Sequence, residues 1–271
     1  MKLDTSSYYP QSHLDDDDMD EVSTEITGEE ITGDEASAES VPAAEEPQDS
    51  GYENEPDRSV PPTNMEKFLD RVATFLSWAL VPLLMPVYGV LLAFNVSILN
   101  FTTFPVKLTF VLITAAFTLG IPMLLVLLLK RVGLVNDLGL NGRKERLIPY
   151  IISFVSMAGT GVFMWYKGAP LWLVMFFGGG AVAAIVNLIV NFRWKISAHA
   201  AGIAGVVALM VRIMRDGFPQ EDAFTWLLIS ILLSGLMGSA RIWLGRHTVW
   251  QVVAGFAVGF TSVILMTSIG L

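Results

Sequence analysis

The sequence contains no cysteine, which excludes disulfides, thiolate catalysis and cysteine-ligated zinc, and leaves the redox compartment unmarked. Charge is scarce as well. Only 16% of residues are charged against 53% hydrophobic, with a mean hydropathy of +0.55, too apolar for a water-soluble globule with a solvated surface, so a soluble enzyme is excluded. Basic residues are almost missing from the first 63 positions, where Lys2 and Arg58 stand against nineteen Asp and Glu, a net of −17. From Asn64 onward the balance reverses, with fifteen Lys and Arg against seven acids, a net of +8. The overall charge of −9 therefore describes neither part.

The acidic stretch mixes Asp, Glu, Ser, Thr, Pro and Gly, with an all-Asp run at 15–18 and the near-repeat Glu25-Ile26-Thr27-Gly28, Glu30-Ile31-Thr32-Gly33. It cannot bury enough apolar surface to offset its ordering entropy. Residues 1–63 are read as a disordered acidic tail ahead of one membrane domain, 64–271. The tail lacks the basic start and apolar core of a signal peptide, so the first membrane helix is expected to direct insertion. A plain solvated tether is the expectation, and docking of a protein partner on the Ile-Thr-Gly units is the alternative.

Beyond the tail, apolar stretches recur at lengths near the ~20 residues that cross a hydrocarbon core. They fall near 72–95, 107–129, 147–166, 170–190, 197–214, 223–240 and 249–270, separated by breaks such as Lys130-Arg131 and Arg215-Asp216-Gly217-Phe218-Pro219. Spans of this length without strict alternation are helices rather than barrel strands, because a helix satisfies its own backbone in lipid. The fold class expected is all-α, a polytopic transmembrane bundle of six to seven spans. Gly178 to Gly180 and the small residues Ala200, Ala201, Gly202, Ala204 and Gly205 favour close helix packing. Pro82 and Pro86 are expected to kink the first span.

Counting spans places the tail and the 130–146, 191–196 and 241–248 loops on one face. His199 and His247 both fall there, with Arg143, Lys144, Arg146, Lys195, Arg241 and Arg246. Excess Lys and Arg on one face follows from the positive-inside rule, which suffices for Lys130, Arg131 and Arg193. Histidine contributes little to topology, so two at facing helix ends mark a candidate site. In Lys195-Ile196-Ser197-Ala198-His199, a cation and a hydroxyl stand beside the positive end of a helix, a setting for an oxyanion, although Ser before a helix is ordinarily a cap. Arg241 ends one span and His247 begins the next, so the turn brings a guanidinium and an imidazole to one anion. Gln251, four residues beyond His247, can hold one imidazole nitrogen and leave the other to attack.

At these residues the chain resembles the type 2 phosphatidic acid phosphatase superfamily, which includes lipid phosphate phosphatases and vanadium haloperoxidases. The third family motif, Ser-Arg, five residues, His, three residues, Asp, is matched by Arg241, His247 and the following Ala254-Gly255. The second, Pro-Ser-Gly-His, is recognisable as Ile196-Ser197-Ala198-His199. The first, Lys, six residues, Arg-Pro, keeps Arg146, with Gly139 in place of Lys and the proline displaced to Pro149. The resemblance covers roughly 137–260. Gln251 stands for Asp, Ala240 for Ser and Ala198 for Gly.

The resemblance implies an integral membrane phosphatase acting on a lipid phosphate or pyrophosphate. His247 would be the nucleophile forming a phosphohistidine, oriented by Gln251, and His199 the acid and base. Arg146, Arg241, Lys144, Lys195 and the N–H groups near Ser197 and Ala198 would bind the phosphate. No cofactor, metal or nucleic-acid partner is expected; the partners are a lipid phosphate and the bilayer. The alternative is a degenerate, non-enzymatic lipid-binding or scaffold relative. A transporter finds no support, since no internal repeat and no ionisable residue at mid-span is evident. Residence in a bacterial inner (cytoplasmic) membrane is expected. Lys and Arg from Asn64 number eleven on the motif face and four on the other. That places the site inside, but without the six site cations the contrast is five against four, and many bacterial relatives place the site outside.

Overall fold

Among the residues described by the computed structural model, 62–131, 147–216 and 222–269, every regular element is helical. The order is α1 (Asn64–Ala79), α2 (Met85–Val96), α3 (Phe104–Ala115), α4 (Ile121–Arg131), α5 (Leu147–Tyr166), α6 (Leu171–Asn191), α7 (Ala198–Arg215), α8 (Ala223–Trp243) and α9 (Val249–Thr267). A π turn, Ala116–Gly120, joins α3 and α4 into one 28-residue rod. That rod and α5 to α9 are six helices long and apolar enough to cross a membrane, and the bent pair of α1 with Pro82–Val96 makes a seventh. The expected all-α membrane bundle is therefore what the chain forms. Its outer surface carries exposed Leu, Ile, Val, Phe and Trp throughout, as contact with lipid requires.

The first span departs from expectation at its start. Helix α1 opens at Asn64, well before Val72, because Thr63 and Glu66 form a capping box: Glu66 N donates to Thr63 Oγ1 at 3.3 Å and Thr63 N to Glu66 Oε2 at 2.7 Å. Glu66, Lys67, Asp70 and Arg71 keep this stretch polar on average and hide it from a search for apolar runs. The helix is amphipathic instead. Met65, Phe68, Val72, Phe75 and Trp78 form an exposed apolar stripe, while Ala73 is buried. The kink expected at the prolines is a break. Pro82 cannot donate to the preceding turn, and the chain bends there by 40°. Tyr88 Oη donates to Ala79 O at 2.9 Å, satisfying a carbonyl that the break leaves open.

Helix α7 is the most enclosed span and packs most extensively against α9. Its Leu209, with Phe177, Leu173, Met164 and Val90 from neighbouring helices, forms the main core. The expected small-residue packing occurs at Gly179, where a Cβ would lie 2.6 Å from Val263 Cα, and at Gly202 against Met85 and Pro82. Two tighter approaches involve α9: a Cβ on Gly255 would lie 2.5 Å from Ser197 O, and one on Gly259 2.0 Å from Ala201 O.

The helix ends sort as span counting required. At one end, Ser97, Ile98, Ile213 and Asp216 share a cavity, and buried Arg212 pairs with Asp216 while its Nε donates to Thr267 O at 2.8 Å. At the other end meet the close of α1, the start of α7 and the α8–α9 turn. Of the expected tail, 1–63, residues 1–61 lie outside the described residues, and Thr63 at its end caps α1.

Candidate active site

Arg241 lies in the last turn of α8. Leu244 N donates back to Ala240 O, and buried Gly245 reverses the chain at φ +66°, a conformation that favours glycine. Arg246 N and His247 N then both donate to Arg241 O, at 3.1 and 3.3 Å. The turn is thus folded onto the carbonyl of the same arginine whose side chain is a candidate phosphate ligand. Thr248 caps α9, with Gln251 N donating to its Oγ1 at 3.4 Å.

Gln251 has two duties. Its Oε1 accepts from Thr248 N at 3.2 Å, completing a capping box, and from His247 Nδ1 at 3.1 Å. An amide oxygen only accepts, so His247 Nδ1 carries a proton. With His247 at 2% exposure and Gln251 at 6%, the ring is held in one orientation.

At the start of α7, Ser197 is the N-cap, its Oγ accepting from Ala200 N at 3.4 Å. Its N–H donates to Gln251 O at 3.2 Å, tying α7 to α9 directly beside the Gly255 approach. His199 sits in the first turn and donates from Nε2 to Ser77 O at 3.2 Å; a carbonyl only accepts, so Nε2 carries a proton. Arg241 Nη1 donates to Ser77 Oγ at 3.4 Å. These hydrogen bonds run from Ser197 through Gln251, His247, Arg241 and Ser77 to His199, and the α7 backbone between His199 and Ser197 completes the circuit. Trp243 Nε1 donates to Asp70 Oδ1 at 2.9 Å, fastening α8 to α1 beside it.

The circuit brings together His199, His247, Gln251, Ser197 and Arg241. Ala198 opens α7 between Ser197 and His199, with its N–H in the first turn, ahead of the first intrahelical bond. Lys195 is half-buried two residues before Ser197, and Arg246 is half-buried in the turn. Arg146 and Lys144, with Arg143, lie outside the described residues. Ser77 was not found from the sequence, because it serves partly through its backbone carbonyl, which every residue has. The starts of α7 and α9 and three cations at one end of the bundle make a setting in which an anion is stabilised.

The model of the PAP2 superfamily matches residues 188–270. No curated protein and no solved structure matches the chain. The matched segment runs from the last turn of α6 to the end of α9 and holds every member of the circuit except Ser77. The chain is thus similar to the PAP2 superfamily over residues 188–270, a segment set in a larger helical membrane bundle.

Proposed function

We propose that the protein is an integral membrane phosphatase that hydrolyses a lipid phosphate or pyrophosphate monoester through a phosphohistidine. The observation that supports this reading is the chain of hydrogen bonds running from Ser197 through Gln251, His247, Arg241 and Ser77 to His199, which links two imidazoles and a guanidinium from α7, α8 and the α8–α9 turn. His247 Nε2 attacks phosphorus, forming a P–N bond as the bond to the leaving oxygen breaks. That oxygen takes the proton from His199, which then removes a proton from water as the water attacks phosphorus and releases His247. Arg241, Lys195 and the N–H groups at the start of α7 balance charge on the equatorial oxygens. A site at helix ends suits an amphiphile whose phosphate meets cations while its chains stay in hydrocarbon.

The test is phosphate release by the purified full chain in EDTA, from phosphatidic acid, phosphatidylglycerophosphate and a polyprenyl diphosphate. His247→Ala is expected to lower release at least about a thousandfold, and His199→Ala about a hundredfold or more, with the fold retained. Unchanged release in both variants ends the reading.

A second reading is favoured by one feature: Gln251 supplies no negative charge to a cationic or phosphorylated His247. In it the protein is a non-enzymatic membrane scaffold that binds headgroups at this site and recruits a partner through the acidic tail. Deleting the tail would then abolish a cellular phenotype that His247→Ala leaves intact.

A further inference from the structure

The sharpest charge contrast in the sequence falls at Thr63 and Asn64, and that junction lies at the site end of the bundle. The capping box fixes the start of α1, Trp243 Nε1 holds Asp70, and Ser77 receives both His199 and Arg241, so the point at which the acidic stretch joins α1 is set relative to the site. At this end stand Lys67, Arg71, Arg193, Lys195, Arg241 and Arg246. The carboxylates described there are those of Glu66, engaged in the cap, and Asp70, engaged with Trp243. Cations therefore outnumber carboxylates at the site end among the described residues.

Residues 47–61 lie outside the described residues, and their sequence carries Asp49, Glu53, Glu55 and Asp57 against Arg58 alone. At about 3.3 Å per residue, the chain from Glu53 to Thr63 can span about 33 Å. Helix α1 rises only about 20 Å between Asn64 and Ser77, at 1.5 Å per residue. These carboxylates are therefore within reach of the site. A tethered ligand has its highest effective concentration when the linker matches the distance to be bridged, and loses it as the linker lengthens. That favours the acids of 49–57 over those nearer the start of the chain.

We propose that the segment 49–57 is an internal competitor for the phosphate site, its carboxylates pairing with Lys195, Arg241 and Arg246. This rests on the anion-binding part of the function proposed above and not on hydrolysis. Exposed ion pairs are individually weak, so the contact is sustained by the tether, which holds the local concentration of carboxylate in the millimolar range. Each carboxylate carries one charge and a phosphate monoester about 1.5 to 2 at neutral pH, so the phosphate displaces the segment. The consequence is a site that ignores weak anions and yields to a phosphate.

The experiment uses the full chain in phosphatidylcholine nanodiscs and compares the wild type with a variant carrying Asp49→Asn, Glu53→Gln, Glu55→Gln and Asp57→Asn. Calorimetric titration with inorganic phosphate at low salt is expected to show about tenfold tighter binding by the variant, as a segment that occupies the site roughly nine-tenths of the time requires. The two chains converge in about 0.5 M NaCl, where exposed charges are screened. Replacing Asp15 to Asp18 with asparagine removes as much charge elsewhere in the tail and leaves the affinity unchanged. Because the sequence has no cysteine, Asn54→Cys and Trp250→Cys accept a pair of nitroxide labels, one in the segment and one exposed beside Gln251 at the start of α9. Their dipolar distance is expected to be short, and to lengthen when the four acids are neutralised or phosphate is added to saturation. Equal phosphate affinity in wild type and variant, the same gain from the change at Asp15 to Asp18, or a label distance that ignores the four substitutions overturns the proposal. If phosphate binds neither chain, the label distance alone decides. None of these readouts involves turnover, so a variant that binds phosphate more tightly but releases none from lipid sinks the phosphatase reading and keeps this one.

Discussion

Gln251 occupies the place where the family pattern has a carboxylate, and its two acceptor contacts explain how an amide serves there. It can hold His247 Nδ1–H and close the capping box at once, but it cannot stabilise positive charge on the ring. Gln251→Glu keeps the length and the cap while adding that charge, so phosphate release is expected to rise about tenfold. Gln251→Met frees the ring and leaves Thr248 N uncapped. It is expected to lower release about a hundredfold and to cost about 1 kcal/mol of stability, measured as turnover and thermal unfolding on one preparation. Ser77 separates two duties in the same way. Ser77→Ala deletes the hydroxyl that receives Arg241 Nη1 and keeps the carbonyl that receives His199, so KM is expected to rise about threefold to tenfold with kcat nearly unchanged. The histidines and Arg241 were legible in the sequence from type and spacing. Ser77 was not, since its partners lie 122 and 164 residues away.

The elements were legible wherever hydropathy alone decides them. The spans from α5 to α9 begin and end close to where apolar runs do, because lipid leaves the backbone no alternative to a helix. Helix α1 escaped, since its apolar residues form a stripe rather than a run. The α7–α9 seam escaped for a different reason: a glycine in an apolar span reads the same whether it faces a neighbour or lipid. The structure separates the two cases. A methyl on Gly259 would meet the Ala201 carbonyl, backbone that cannot rotate away, whereas one on Gly235 would meet nothing within 4 Å. Gly259→Ala must part α7 from α9 and with them Ser197 from Gln251, so it is expected to cost about 2 kcal/mol or more in stability and most of the phosphate release. Gly235→Ala is expected to leave release unchanged and to stabilise α8 slightly, because alanine loses less backbone entropy in a helix. Thermal unfolding and turnover of the two variants side by side check the contrast.

Across the whole molecule, α7 and α9 are fastened at both ends by different chemistry. At the site end, Ser197 N–H meets Gln251 O; at the far end, Arg212 spans to Thr267 O while paired with Asp216. The sequence placed Arg212 near a helix end but could not show that it points inward, since its spacing suits a lipid-facing snorkelling side chain equally well. Only the fold makes it a clasp. Arg212→Met leaves Thr267 O without its donor and Asp216, itself part-exposed, without its partner, so it is expected to cost about 1–3 kcal/mol and to unfold at a lower temperature than the wild type. Its effect on chemistry should be small, because a full membrane span separates it from His199 and His247, and the site end keeps its own hydrogen bonds. Turnover measured well below the unfolding transition, normalised to folded protein, is therefore expected to match the wild type, while the same assay on Gly259→Ala shows loss at every temperature. If Arg212→Met lost turnover before it lost fold, the two ends would be coupled through α7, and the site could not be treated as an assembly held by local contacts.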